Sequence, residues 1–220
     1  PAYSTERVAH TAIMMILNLS SSMQIQQAML ARGDRSNFTK CMQVSHVEVN
    51  GKVLGVVGAG TIGREVIKVA QALGMKVLAY TRTPRADEDN LKYVSLEELL
   101  KQSDYISLHC PLTPQTRHMI NKETIAMMKP TAYIINTGRG ALIDEPALIE
   151  ALKEGRIAGA GLDVQETEPP VQDNPLYDMP NVILTPHMGW KGLETRQRLV
   201  SILAANIQAF DEGRPQNVVS

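Results

Sequence analysis

The chain of 220 residues lacks several marks that would assign it to a class at once. Its only cysteines, Cys41 and Cys110, lie far apart without metal-ligand spacing, which excludes a disulfide scaffold and a cysteine-built zinc site and points to a reducing compartment. Charge of one sign is also missing. With 22 basic and 23 acidic side chains the formal charge is -1, so nothing draws the chain toward nucleic acid or an anionic membrane surface. Long apolar runs are absent as well: Ile13 to Leu17 is too short to span a bilayer and has no cleavage features of a signal peptide. These absences lead to the expectation of a soluble, cytoplasmic protein that meets a small neutral or anionic ligand. What is present is core-forming material, 44% apolar against 20% charged, which rules out disorder and low complexity.

The apolar spacing predicts a first long helix over residues 4–32, with Ser4 as N-cap and Val8, Ala12, Met15 and Leu19 on its buried side. A polar stretch, Asp34 to Asn50, follows. From Gly51 onward short β-branched runs alternate with helical segments. Strands are expected at Val53–Val57, Lys76–Tyr80, Tyr105–His109, Ala132–Ile135, Ala158–Asp163 and Val182–Leu184. Helices are expected at Ile62–Leu73, Leu96–Lys101, Lys122–Met128, Ala147–Glu154 and Leu193–Phe210. Six strands separated by helices or long connections predict an α/β fold with a doubly wound parallel sheet.

Gly58-Ala59-Gly60-Thr61-Ile62-Gly63 follows the first strand and opens a helix, the context in which G-x-G-x-x-G reads as a dinucleotide turn. Gly58 permits the tight turn, Gly60 leaves room for a pyrophosphate, and Gly63 lets helix and strand approach, while Thr61 and Ile62 begin the helix whose free N–H groups face the anion. An NAD site usually places an acid at the end of the second strand, and here there is none. That strand runs instead into Thr81-Arg82-Thr83-Pro84-Arg85, where Arg82 and Arg85 can pair with a 2′-phosphate and Thr81 and Thr83 can donate to it. NADP(H) is therefore expected in preference to NAD(H). The competing reading is a solvated basic loop neutralised by Asp87, Glu88 and Asp89.

Three polar groups follow the later strands. Arg139 sits in Asn136-Thr137-Gly138-Arg139-Gly140, Glu168 lies five residues after Asp163, and His187 stands in Thr185-Pro186-His187-Met188-Gly189-Trp190. An arginine, a glutamate and a histidine at one rim of a sheet form a coherent set for carbonyl reduction. His109 is expected to make a local hydrogen bond, since no second ligand is spaced for a metal.

Together Gly58–Gly63, His109-Cys110-Pro111-Leu112-Thr113-Pro114-Gln115-Thr116-Arg117, Asn136–Ala141, Gly161-Leu162-Asp163-Val164, Glu168-Pro169-Pro170 and Thr185-Pro186-His187 resemble, in order and spacing over essentially the whole chain, the D-isomer-specific 2-hydroxyacid dehydrogenases. Tyr80-Thr81-Arg82-Thr83 and the stretch from His187 to Trp190 look most like the glyoxylate and hydroxypyruvate reductases among them. The resemblance implies a Rossmann-type cofactor domain over residues 4–190 and a C-terminal helical segment, residues 191–220, packing on a substrate domain that would precede Pro1. It places the substrate-binding arginine at Arg139, the histidine's acid partner at Glu168 and the proton-transferring histidine at His187, with Trp190 beside them in the substrate pocket. Cys110 and Pro111 fall on the loop over the cofactor, Thr116 among the cofactor-binding residues, Thr137 and Gly138 beside the nicotinamide ribose, Asp163 near the carboxamide and Gly189 after the histidine. No metal is implied. A homodimer formed through the cofactor domains is implied, together with a small 2-keto or 2-hydroxy acid as substrate. The same motifs also fit a dinucleotide-sensing corepressor of the C-terminal-binding-protein type, a cofactor-binding fragment inactive by itself, or, less well, a formate or phosphite dehydrogenase.

Overall fold

In the computed structural model, which describes residues 2–39, 44–83 and 85–218, the β-branched runs become the strands of one sheet. The elements are α1 (Thr5–Ser20), α2 (Met23–Ala31), α3 (Ser36–Thr39), β1 (Val53–Val57), α4 (Thr61–Ala72), β2 (Lys76–Tyr80), β3 (Leu91–Tyr93), α5 (Leu96–Gln102), β4 (Tyr105–Leu108), α6 (Lys122–Ile125), β5 (Tyr133–Asn136), α7 (Glu145–Lys153), β6 (Gly159–Leu162), β7 (Val182–Leu184) and α8 (Leu193–Asp211). The sheet runs β3-β2-β1-β4-β5-β6-β7, and every neighbouring pair is parallel. The chain winds outward from β1 to β3, then returns to β4 on the other side of β1. Two connections therefore diverge at the carboxyl ends of β1 and β4, which opens a crevice there.

Burial on both faces explains why these strands read as continuous apolar runs. One face is covered by α5, α6 and α7 through Leu99, Leu100, Ile125, Leu148 and Leu152. The other is covered by α1 and α4 through Ala12, Met15, Ile16, Val66, Ile67 and Ala70. Helix α8 is different: only Thr195 is buried, and Val200, Leu203, Ile207 and Phe210 stay exposed.

The structure corrects the expectation of a single helix over residues 4–32. The helix ends at Ser20, and Ser22 adopts a left-handed backbone with φ of 48° before α2 starts. Three successive serines explain the break, because their hydroxyls offer the backbone alternatives to helical bonding. The Ser20 hydroxyl donates to the Leu17 carbonyl at 2.8 Å, and that of Ser22 donates to the Ser45 carbonyl at 2.6 Å. Ser4 stands at the N-cap position of α1 but its side chain makes no capping bond. The sheet also has a seventh strand, β3, which the sequence pattern misses because three residues are too few to show alternation. Cys41 lies outside the described residues. Among those described, no helix is long and apolar enough to cross a membrane.

Candidate active site

The glycine turn joins β1 to α4, and the packing around it explains its composition. A Cβ on Gly58, whose φ is 100°, would lie 2.7 Å from the Cys110 nitrogen, and one on Gly63 would lie 2.1 Å from the Gly58 oxygen. Any side chain at either position would wedge the turn open. Gly60 has nothing within 4 Å of such a Cβ, so its backbone faces open space at the start of α4. A pyrophosphate fits here for the reason that glycine does.

The crevice continues in two directions from this turn. One cleft of about 370 Å³ is lined by Gly58, Gly60, Thr81, Arg82, Arg85, Cys110, Pro111 and Thr116. A larger one of about 830 Å³ is lined by Ile62, Cys110, Pro111, Thr137, Gly138, Arg139, Asp163, His187, Gly189 and Trp190. His109, Cys110 and Pro111 border both, so the two clefts meet at the end of β4. Thr61, Gly63 and Thr83 do not line either cleft: Thr61 begins α4, Gly63 is buried in its first turn, and the carbonyl of Thr83 accepts from the Thr81 hydroxyl at 2.7 Å. The Thr116 hydroxyl accepts from the Thr113 amide and donates to the Pro111 carbonyl, which holds the loop after β4 in shape.

Two observations show that the crevice fits a dinucleotide. The Thr137 hydroxyl is buried on the larger cleft with no partner among the described residues, a cost that a bound hydrogen-bonding group would relieve. On the smaller cleft, Arg82 and Arg85 form no ion pair among the described residues. Two of the three acids that could have neutralised them, Asp87 and Glu88, are engaged elsewhere. Glu88 pairs with Arg64 at 2.9 Å and feels Arg85 only through space, while Asp87 accepts from the Tyr93 amide at 2.7 Å.

At the far end of the larger cleft, Arg139, Glu168 and His187 come to one rim of the sheet. His187 Nδ1 lies 2.7 Å from Glu168 Oε2, and the other oxygen of Glu168 accepts from the Gln165 amide at 3.1 Å. Glu168 faces a side cleft of about 380 Å³ that shares His187 and Asp163 with the larger one. The Arg139 loop is pinned by Asn136, whose side chain accepts from the Gly138 amide at 3.0 Å and donates to the Arg139 carbonyl at 2.9 Å. One guanidinium nitrogen donates to the Gly138 carbonyl, and no ion pair among the described residues occupies the rest of that fork. Asp163, 2% exposed, holds the His187 loop: its carboxylate accepts from the Thr185 hydroxyl at 2.6 Å, the Met188 amide at 2.8 Å and the Gly189 amide at 2.7 Å. His187 itself has a φ of 48°, unusual for a residue with a side chain, and is held there by these contacts.

Sequence reasoning did not identify Tyr3, Val8 and Leu199 as lining residues, because the first two precede the glycine turn by some fifty residues and carry no motif. It also undervalued Asn136, whose side-chain turn is signalled by an Asn at a strand end before Thr-Gly. His109 does make the local bond expected of it, lying 2.8 Å from the Ser107 hydroxyl. Burial pushes its pKa down to about 4, so the crevice is lined there by a neutral imidazole. Burial likewise pushes the Cys110 thiol up, which keeps it protonated and unreactive.

The His109 shift predicts an acid limit to stability. Its folded pKa lies below the ordinary 6.5, so between those values the unfolded chain binds more protons. The stabilising contribution is complete above about pH 6.5 and is lost as pH falls toward 4, on the order of 2 kcal/mol after a discount for the ring's residual solvent contact. Urea unfolding at pH 7 and pH 4.5 should show a smaller difference for His109→Gln than for the parent chain, and identical differences would contradict the assignment.

Residues 13–189 match the family described as D-isomer specific 2-hydroxyacid dehydrogenase, NAD binding domain. The chain belongs to this family. It is 44% identical to a hydroxypyruvate reductase of Blautia hydrogenotrophica over 224 aligned positions, covering all of this chain and 70% of that protein. A glyoxylate reductase of Thermococcus litoralis is 49% identical over 176 positions, which cover 78% of this chain and 53% of that one. Among solved structures, the TT0316 protein of Thermus thermophilus superposes with a TM-score of 0.91 at 40% identity, covering 99% of this chain and 68% of the other. An acyclic imino acid reductase in complex with NADPH and D-Arg superposes with a TM-score of 0.90 at 33% identity, over all of this chain and 69% of that one. The chain thus spans between about half and about 70% of the length of these relatives. Family membership accounts for the parallel sheet, the glycine turn and the order of the motifs in one stroke, and makes the cofactor domain NAD-binding in kind.

Proposed function

We propose that this dehydrogenase-family chain serves the reduction of a small 2-keto acid, of the size of glyoxylate or hydroxypyruvate, to its 2-hydroxy acid, with NADP(H) as the preferred cofactor and NAD(H) as the weaker one. The observation that carries the reading is the Glu168–His187 pair at 2.7 Å, on the same rim as Arg139 and at the end of the crevice that starts on the glycine turn. When bound, the nicotinamide supplies a hydride to the carbonyl carbon.

The chain's own residues do the rest. His187, held through Nδ1 by Glu168, presents Nε2 to the carbonyl oxygen and gives it a proton as the alkoxide develops. Glu168 fixes the ring orientation and stabilises the charged imidazolium, a role that needs no proton on the acid itself. Arg139 offers paired N–H donors to the substrate carboxylate and stabilises charge on the neighbouring carbonyl. Thr137 and Gly138 would meet the nicotinamide ribose, and Cys110 and Pro111 would close over the cofactor. Asp163 and Gly189 frame its carboxamide end, and Trp190 walls the substrate pocket. Arg82 and Arg85, aided by Thr81, would pair with a 2′-phosphate. Two copies of the chain associating through this domain complete the proposal.

Cofactor choice is tested by direct titration. NADPH should bind more tightly than NADH by roughly ten- to a hundredfold, the range set by one or two charge-assisted contacts on an exposed loop. The Arg82→Ala/Arg85→Ala double variant should lose that margin while its affinity for NADH changes less than threefold. Equal binding of the two cofactors by the parent chain would refute the preference. Steady-state reduction of glyoxylate and hydroxypyruvate by the native protein tests the reaction, and no turnover with either would refute it.

A further inference from the structure

Arg139 and Glu168 arise from different loops, and the reaction proposed above needs them in register to well under 1 Å. Among the described residues, no hydrogen bond or ion pair joins either side chain to the other loop. The contact between the loops is made by the peptide joining Gln165 to Glu166, which lies flat against Gly140. A Cβ on Gly140 would fall 1.8 Å from the Gln165 oxygen and 2.4 Å from the Glu166 nitrogen. That one peptide is therefore pressed against the residue following Arg139, while the Gln165 amide holds Glu168 Oε1 at 3.1 Å. Gln165 shares that peptide through its carbonyl and holds Glu168 through its own amide, so whatever fixes residue 165 bears on both loops.

The side chain of Glu166 does the fixing. Its carboxylate, about one-fifth exposed, accepts from His118 Nε2 at 2.6 Å, from Arg117 Nη2 at 3.1 Å and from the Glu145 amide at 3.4 Å. The Glu166 amide donates in return to Glu145 Oε2 at 3.1 Å, and Glu145 Oε1 accepts from Asn174. His118 closes the circuit: its amide donates to the Ala141 carbonyl at 2.8 Å, two residues after Arg139. One histidine thus bonds the Arg139 loop through its backbone and the Glu168 loop through its ring. Such a network exceeds what a solvated surface pair requires, since His118 and Glu145 are each held by a second bond.

We infer that Glu166, clamped by His118 and Arg117, is a positioning residue that registers the Arg139 loop against Glu168 and His187. The inference rests on the proposed reduction for its kinetic consequence, and on geometry alone for its structural one. The test uses the native protein with Glu166→Ala, Glu166→Gln, His118→Ala and the His118→Ala/Glu166→Ala double variant. Four quantities are read: kcat/KM for the 2-keto acid, NADPH affinity, melting temperature, and the ring-nitrogen NMR signals of His187.

Glu166→Ala should lower kcat/KM about ten- to thirtyfold with NADPH affinity within twofold, because a misplaced loop harms chemistry before it harms cofactor binding. The His187 ring signals should shift. Glu166→Gln, which keeps an acceptor for His118, should recover to within about threefold of the parent. The double variant should fall no further than the poorer single one, as expected when both act through one contact. Melting temperature separates lost folding from lost register. If Glu166→Ala does not fold, His118→Ala and Glu166→Gln decide the matter by the same measures. Folded Glu166→Ala or His118→Ala with kcat/KM within twofold of the parent, or losses that multiply in the double variant, overturn the inference. If the parent reduces no 2-keto acid, the reduction fails as a reading, and unmoved His187 signals in Glu166→Ala would separately overturn the positioning role.

Discussion

His187→Asn should lower kcat for 2-keto acid reduction by roughly 10²- to 10⁴-fold, the range lost with a positioned general acid. NADPH affinity should stay within about threefold, because the glycine turn, Thr137 and the arginine loop remain intact. Asparagine is the informative replacement at this position. The backbone of residue 187 has a φ of 48°, which Asn tolerates better than most side chains, so the loop keeps its path while the proton donor is removed. Alanine would mix the chemical loss with a conformational one. Turnover unchanged by His187→Asn would take the imidazole out of the mechanism and leave its bond to Glu168 as a structural pair.

Arg139→Ala should cost about 10²- to 10⁴-fold in kcat/KM, from the loss of two charge-assisted hydrogen bonds of about 1.5–3 kcal/mol each. Both KM and kcat should move, since the guanidinium holds the substrate carboxylate before the reaction and steadies the developing charge during it. Arg139→Lys should regain little of this. A lysine supplies the charge but not the planar fork. Stability should change little in either variant, because the Arg139 side chain is exposed and, among the described residues, bonds to its neighbour's carbonyl alone. A lysine variant with parental kcat/KM would show that charge alone suffices and that no bidentate contact forms.

Much of this arrangement is legible in the chain because local chemistry and global fold agree. Val53–Val57 reads as a strand from its composition and is one, and the glycine spacing after it makes sense only between a buried strand and a helix. Arg139 and His187 lie three residues after β5 and β7 and Glu168 six after β6, and the parallel sheet delivers these candidate positions to one edge. The parts that escape the sequence are those set by distant partners. The break at Ser22 depends on the Ser45 carbonyl, twenty-three residues away. Strand β3 is too short to carry its own pattern and forms because β2 offers an open edge. Tyr3 and Val8 reach the larger cleft only because α1 packs beside α4 on one face of the sheet. The freedom of Arg82 and Arg85 could not be read from their acidic neighbours, since it depends on where Arg64 of α4 draws Glu88.

The buried Asp163 carboxylate has a thermodynamic consequence for the loop it holds. Freeing residues 185–189 from the sheet would strand that carboxylate without the three donors it now accepts from, each a charge-assisted bond. Such an opening is too costly to occur as a local fluctuation and should require loss of the sheet edge as a whole. Amide deuterium uptake at Met188 and Gly189 should therefore be as slow as in β6. Although it lies at the molecular surface, the segment that carries the proton donor belongs to the same cooperative unfolding unit as the strands beneath it.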